Sequence, residues 1–216
     1  MSNNTKHSQS AEGGGFKVKI MSYSSRFFKR TFDIICSLVA LLTFSWLMLL
    51  IWVAIKWEDR GPALFHQERI GLGGKPFTLH KFRSMIIEAE ADGAQLYHDG
   101  DDRLTKVGRF IRDHHLDELP QLWNILMGEM SFVGYRPERQ IFIDQIMEHD
   151  PRYAELYATR PGCFSMATLY NGYTDTMEKM LERLRMDLEY MEKATFWLDM
   201  KIITLTAFSI ISGKKF

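Results

Sequence analysis

The chain has 216 residues, room for one modest domain with appendages. Its 27 basic residues balance 27 acidic ones, which argues against general nucleic-acid binding, since that normally needs a basic excess. Two cysteines, Cys36 and Cys163, are too few for a disulfide framework, so both read as free thiols in a reducing compartment.

Residues 1–25 open with a run rich in Ser, Asn and Gly and read as a disordered tail. From Ile34 to Ile55 there is no charged residue. A hydrocarbon core of ~30 Å needs ~20 apolar helical residues, so this stretch is long enough to cross. No small-residue cleavage site follows it, so a signal peptide is not expected. Lys17, Lys19, Arg26, Lys29 and Arg30 precede the stretch, and Lys56 and Arg60 follow it. Positive charge at both ends frustrates a simple crossing. A re-entrant hairpin that enters and leaves by one leaflet resolves this, but it needs a helix break. Thr43 and Ser45, whose hydroxyls can bond back to a carbonyl, are the candidates for that break. Chain physics alone leaves hairpin and span equally open.

The runs from Ala63 to Ile70 and Pro76 to Phe82, with Gly71, Gly73 and Gly74 between them, predict a β-hairpin. A helix is expected over Ser84 to Leu96. A turn follows at His98 to Asp102, whose carboxylates lack the spacing of a calcium loop. Leu119, Leu122, Ile125 and Leu126 place a helix start near Asp117. Further helices are expected from Pro137 to His149 and from Thr176 to Lys193. The second of these carries Met177, Met180, Leu181, Leu184, Leu188 and Met191 on one face. Phe196 to Ile211 is apolar but interrupted by Asp199 and Lys201, a pattern suited to lying in a membrane interface.

The chemistry concentrates around Asp117-Glu118. Asp117 could simply cap a helix, with Glu118 complementing its dipole and Pro120 in the first turn. The surroundings favour phosphate. Arg109 and Arg112 share one side of a helix if residues 107–112 are helical, Arg136 sits between Gly134 and Pro137, and Lys81 and Arg83 flank Phe82. Arginine forks match phosphate oxygens, and several cations keep a carboxylate ionised and nucleophilic. Adjacent helical side chains diverge by ~100°, so one carboxylate can face phosphorus while the other holds a hard cation such as Mg²⁺. His114 and His115 lack the i, i+4 spacing of a zinc pair and read as surface or supporting groups.

With these residues in view the chain resembles the bacterial sugar transferases, the monotopic polyprenyl-phosphate phosphoglycosyl transferases. The resemblance runs from about Phe27 to the C-terminus. It is carried by Lys29-Arg-Thr-Phe-Asp33, Gly61-Pro-Ala-Leu-Phe-His-Gln-Glu-Arg-Ile-Gly71, Lys81-Phe-Arg-Ser-Met85, Thr105-Lys-Val-Gly-Arg-Phe-Ile-Arg112, Leu116-Asp-Glu-Leu-Pro-Gln-Leu-Trp-Asn124, Gly128-Glu-Met-Ser-Phe-Val-Gly134 and Arg136-Pro-Glu138.

The resemblance implies a mainly α protein with a small β-hairpin (α+β). Residues 26–58 would form a re-entrant membrane helix and residues 59–216 a catalytic domain, with a C-terminal interfacial helix on the cytoplasmic face of the bacterial inner membrane. Asp117 would attack the β-phosphate of a UDP-sugar and expel UMP, and undecaprenyl phosphate would then take the phosphosugar, as the first membrane step of glycan assembly. Glu118 would hold Mg²⁺, and Arg112 and Arg136 would bind phosphates. Lys81 is a likelier site residue than Arg83. Downstream glycosyltransferases and a second copy of the chain are conceivable partners.

Three departures stand out. Ser45-Trp46 replaces a helix-breaking Ser-Pro, Gly134-Tyr-Arg-Pro137 replaces Gly-Pro-Arg-Pro, and Cys163-Phe-Ser-Met-Ala-Thr-Leu169 replaces a segment close to Ile-Thr-Gly-Leu-Ala-Gln-Val. The last bears on nucleotide or sugar specificity. It also leaves room for a different class of function, a non-catalytic membrane scaffold that has kept the fold.

Overall fold

The structure, a computed structural model, describes residues 23–212 apart from 92, 97, 99 and 173. The predicted N-terminal tail falls almost wholly outside these residues. The uncharged stretch belongs to one α-helix, α1, over Tyr23–Asp59. Its 37 residues extend about 55 Å. The expected break is not there. Ser45 does bond back to the Leu42 carbonyl at 2.8 Å, but that contact supplements the helical ladder and does not interrupt it. The helix–break–helix hairpin is therefore corrected to a single continuous element.

One side of α1 lies along the body. Near its start, Lys29 pairs with Asp199, and Arg30 donates to the carbonyls of Ile125 and Leu126 at 2.6 and 2.8 Å. Buried Asp33 accepts from the Ser131 hydroxyl and the Phe132 amide, both at 3.1 Å. Ile51 and Ile55 are buried beside Ala63, Phe82 and Ile111. At the far end Glu58 accepts from the Lys106 amide at 2.8 Å, and Asp59 takes the Arg83 guanidinium through both oxygens. The opposite side is apolar and exposed, including Ile35, Leu38, Leu42, Trp46, Leu49 and Val53. By length and composition the helix could cross a bilayer. Yet Lys29 and Glu58, about 44 Å apart along it, touch the same body.

The hairpin forms as expected. β1 (Leu64–Ile70) pairs antiparallel with β2 (Pro76–Phe82), in register from Leu64 opposite Phe82 to Ile70 opposite Pro76. The helix expected over Ser84 to Leu96 is absent. Successive turn bonds (Ala89 to Ile86, Ala91 to Glu88, Gly93 to Glu90) and a bridge between Met85 and Leu104 hold that stretch. Tertiary contacts decide it: Arg103 donates to the Ala89 and Leu96 carbonyls and to Asp101, and Glu90 takes Arg139.

Beyond lie α2 (Lys106–Asp113), α3 (Gln121–Met127), β3 (Ser131–Val133) and α4 (Gln140–His149). A 3₁₀ stretch covers Pro151–Ala158, then come β4 (Gly162–Phe164), α5 (Met166–Asn171), α6 (Met177–Lys193) and α7 (Phe196–Ile211). The protein is thus mainly α with a small hairpin. β3 and β4 add a parallel pair that the sequence did not reveal. The main core gathers Val133, Tyr135, Ile143, Ile146, Leu156, Met180 and Leu184. The predicted apolar face of α6 turns into it, with Met180, Leu184 and Met191 buried and Met177, Leu181 and Leu188 packed at its rim. Asp199, expected to interrupt an interfacial helix, is buried and bonded by Tyr190 as well as Lys29.

The Asp59–Arg83 pair clamps the end of α1 to β2. Removing one partner leaves the other's charge poorly compensated in a largely buried setting, which typically costs about 3 kcal/mol. Asp59→Ala should lower the unfolding free energy by roughly that much in urea titrations, whereas Arg109→Ala, at an exposed site, should stay within about 0.5 kcal/mol of the parent. Equal values for the two variants would remove the clamp.

Candidate active site

Between α2 and α3 the chain makes a tight corner. His115 adopts a left-handed conformation (φ 54°), and a 3₁₀ turn over Leu116–Glu118 follows. A non-glycine residue in that region stores strain of order 1 kcal/mol. The corner drops Asp117 into the interior, 4% exposed, and aims Glu118 at two cations. Asp117 therefore does not cap a helix: its side chain makes no capping bond, Pro120 occupies the cap position of α3, and Asp117 is a buried acid.

Glu118 Oε1 accepts from Lys81 Nζ at 2.9 Å and from Arg136 Nη2 at 2.6 Å. Lys81 comes from β2 and Arg136 from the loop after β3. That loop is placed by close backbone approach at Gly134, where an added Cβ would lie 2.6 Å from the Arg160 carbonyl oxygen and 2.7 Å from the Gly162 nitrogen. The glycine fixes the loop by making room for β4. Behind the loop, buried Asp187 accepts from the Arg136 amide at 3.4 Å. Burial pushes the Asp187 carboxyl up to about 7.

The two carboxyls of the dyad are driven apart. Burial pushes the Asp117 carboxyl above its ordinary value, against the pull of Lys81, and the Glu118 charge adds to the rise. Burial also disfavours charge on Glu118, but Arg136 and Lys81 outweigh it and hold this carboxyl well below the usual range. The pair thus provides one firmly ionised anchor and one carboxyl with more basic oxygens.

A cavity of about 580 Å³ opens over the dyad. Lys81, Arg112 and Arg136 line it, with His114, His115 and a cation the sequence did not single out, Arg183 from α6. Arg183 donates to Glu138 at 2.8 Å and to Thr174 at 2.9 Å. Burial opposes charge on Glu138, yet Arg69 and Arg183 hold its carboxyl down to about 2. On an amphipathic helix an arginine reads as solvent-facing, so only packing reveals its place. Phe44 and Leu47 of α1 and Thr206, Ala207 and Ile210 of α7 make another wall. The atypical segment lines the cavity too, through Cys163, Phe164, Ser165, Ala167, Thr168 and Leu169. Burial lifts the Cys163 thiol to about 12, so it is not a thiolate at neutral pH.

Two expected phosphate ligands lie elsewhere. Arg83 is buried beneath Gly61 and held by Asp59 through Nη1 and Nη2, outside the cavity. Arg109, on α2 with Arg112, is exposed and does not line it either. Three residues along a helix is a turn of ~300°, and here that suffices to bring only one of the two to the site.

A buried acid pair ringed by cations, beside an apolar wall, has the chemistry to take a phosphorylated ligand with an apolar part. Residues 24–213 match the family model described as bacterial sugar transferase, and the chain belongs to that family. It is 40% identical over 187 residues to the UDP-N-acetylgalactosamine-undecaprenyl-phosphate N-acetylgalactosaminephosphotransferase of Aeromonas hydrophila, covering 87% of this chain and 44% of that protein. It is 40% identical over 186 residues to the UDP-glucose:undecaprenyl-phosphate glucose-1-phosphate transferase of Caulobacter vibrioides, covering 85% and 70%. A third relative, the Escherichia coli enzyme with the same name as the Caulobacter one, is 38% identical, with 87% and 41% covered. The chain thus spans less than half of the first and third of these relatives.

The opposed shifts predict opposed stability effects. Because the Asp117 carboxyl is raised in the fold, its ionised form costs stability above that value, so Asp117→Asn should melt no lower than the parent at neutral pH. Glu118 is depressed, so it stabilises above its unfolded value of about 4.3 and less as pH falls through the folded one. Glu118→Gln, which strips two cations of their counter-ion, should lose about 3 kcal/mol. Thermal melts of both variants check this; the reverse order would overturn the assigned ionisation.

Proposed function

We propose that the protein transfers a phosphosugar from a UDP-sugar to undecaprenyl phosphate through a covalent intermediate on Asp117, as an initiating step of glycan assembly. The observation that carries this reading is the buried Asp117-Glu118 pair facing a cavity lined by Lys81, Arg112 and Arg136. The relatives' names support the substrate classes, and because they differ in sugar they leave its identity open.

In the first half-reaction an Asp117 oxygen attacks the β-phosphorus. A P–O bond forms, the bond to the bridging oxygen breaks, and UMP leaves. An oxygen of undecaprenyl phosphate then attacks the same phosphorus, and the Asp117 carboxylate is released. Arg112 and Arg136 would neutralise phosphate oxygens, with Lys81 holding Glu118 in place. The hard-oxygen donors fit Mg²⁺, which takes one or two carboxylates together with substrate phosphates. Among the described residues no cluster of three metal-ligating side chains exists, so Glu118 would bind the ion only with the substrate's help. When bound, Mg²⁺ would supply charge neutralisation at the diphosphate of the UDP-sugar as UMP departs.

The placement of α1 supports attachment to one leaflet. Its two ends are tied to the same body, so they cannot reach opposite faces of a bilayer that excludes that body. Its exposed apolar side and the apolar cavity wall from α1 and α7 suit a helix lying at the cytoplasmic surface of the inner membrane, with the prenyl chain entering between them. The scaffold reading gains no support, since the altered 163–169 segment lines the cavity and leaves it open.

Purified protein with Mg²⁺ and the correct UDP-sugar should release UMP when undecaprenyl phosphate is present. Asp117→Asn should reduce the rate on the order of 10⁴-fold. Radiolabelled phosphosugar should be trapped on the parent protein and not on that variant; an active enzyme with no adduct would mean direct attack by the lipid phosphate. Because Asp117 is raised, the rate should fall on acidification at a pH above the ordinary aspartate value of about 3.9.

A further inference from the structure

Outside the cavity, one pair of ligating side chains has no part in this chemistry. His66 on β1 and His80 on β2 are directly opposed in the hairpin register. Their rings stand edge to face, 4.9 Å between centroids and 89° between planes, with Nδ1 of one 2.8 Å from Nδ1 of the other. At that separation one Nδ1 donates its proton to the lone pair of the other. The two Nδ1 atoms thus face each other at a separation close to that of two nitrogens sharing one metal ion.

We infer that His66 and His80 form a binding site for a nitrogen-preferring transition-metal dication, Cu²⁺, Ni²⁺ or Zn²⁺. Neutral imidazole is the ligand form, and such metals favour it, whereas Mg²⁺ favours oxygen. A metal at ~2.0–2.1 Å from each nitrogen requires the rings to part by a few tenths of an ångström. His66 is exposed on a two-stranded ribbon, so its ring has room for that movement. The bookkeeping is simple. The bridging proton leaves Nδ1 and, through water, the same ring takes one at Nε2. Both rings then present Nδ1 lone pairs, and the neutral pair releases no net proton. Burial lowers the proton affinity of His80, and His66 adds to this while Glu129 opposes it, so His80 is already biased to the ligand form.

The protein supplies two donors, and water completes the shell. That makes the site exchangeable and separate from the dyad: Lys81, the next residue along β2, turns to the other face and reaches Glu118. A bound metal would cross-link β1 to β2 one residue from Lys81.

The test is calorimetric titration of the untagged full chain in detergent with Cu²⁺, Ni²⁺ or Zn²⁺ chloride alone. One equivalent should bind in the parent and in His149→Ala, and should be lost in His66→Ala and His80→Ala, with excess Mg²⁺ failing to compete. Cu²⁺ loaded on the parent should show two coordinated nitrogens by electron paramagnetic resonance, and at most one in either variant. Should an alanine variant misfold, His66→Gln gives the same comparison. Absence of the equivalent in the parent, or its retention in a folded His66 or His80 variant, would overturn the assignment.

Discussion

A carboxylate oxygen shared by two cations organises this protein's centre. Glu118 Oε1 is the point at which β2, the corner after α2 and the loop after β3 meet, through Lys81 and Arg136. Each segment arrives by a different route and also packs apolar residues nearby, among them Leu79, Leu119 and Val133. The Glu118 side chain is 14% exposed, so its charge needs both partners, and their charges need it. Asp117, one residue earlier and more deeply buried, receives no such compensation in full. The unequal sharing of cations separates the two acids into a firmly ionised anchor and a carboxyl of raised proton affinity. A buried pair with equal partners would have no such division of labour.

The same economy explains α1. The basic residues at its start look like topological signals, and in an apolar helix with a free start they would be. Here they make tertiary contacts. Lys29 takes Asp199, Arg30 takes the carbonyls at the end of α3, and Asp33 takes Ser131 and Phe132. At the other end Glu58 caps α2 and Asp59 holds Arg83. Two of the basic residues at the start of α1, Lys29 and Arg30, are thus engaged by the body, and the helix runs on without a bend. One side of the helix belongs to the body, and its Phe44 and Leu47 become a wall of the cavity.

Regular elements with a strong period were legible. The hairpin, α6 and α7 lie where alternation and helical spacing put them, because each has a continuous apolar face and a marked start, such as Thr176 and Thr195 accepting from the amides of Lys179 and Leu198. The stretch after Arg83 departs from the expected helix because Arg103 gathers the Ala89 and Leu96 carbonyls. β3 and β4 have three residues each, too short to show a period, and their pairing depends on two glycines far apart in the chain.

The amino-acid sequence by itself determined the kinds of group present: two adjacent acids, an excess of nearby cations, an uncharged helix and motifs in a family's order. Spacing and flanking residues singled out Asp117 and Glu118 with Arg109, Arg112, Arg136, Lys81 and Arg83, and the family resemblance ranked Lys81 above Arg83. Only the tertiary structure decided which cations face the acids. Arg83 went to Asp59 and Arg109 to solvent, while Arg183, far along the chain from the motif arginines, came to the cavity wall through the packing of α6. The reason is that the desolvation of a charge depends on everything around it, and its surroundings are assembled from segments that local sequence does not connect.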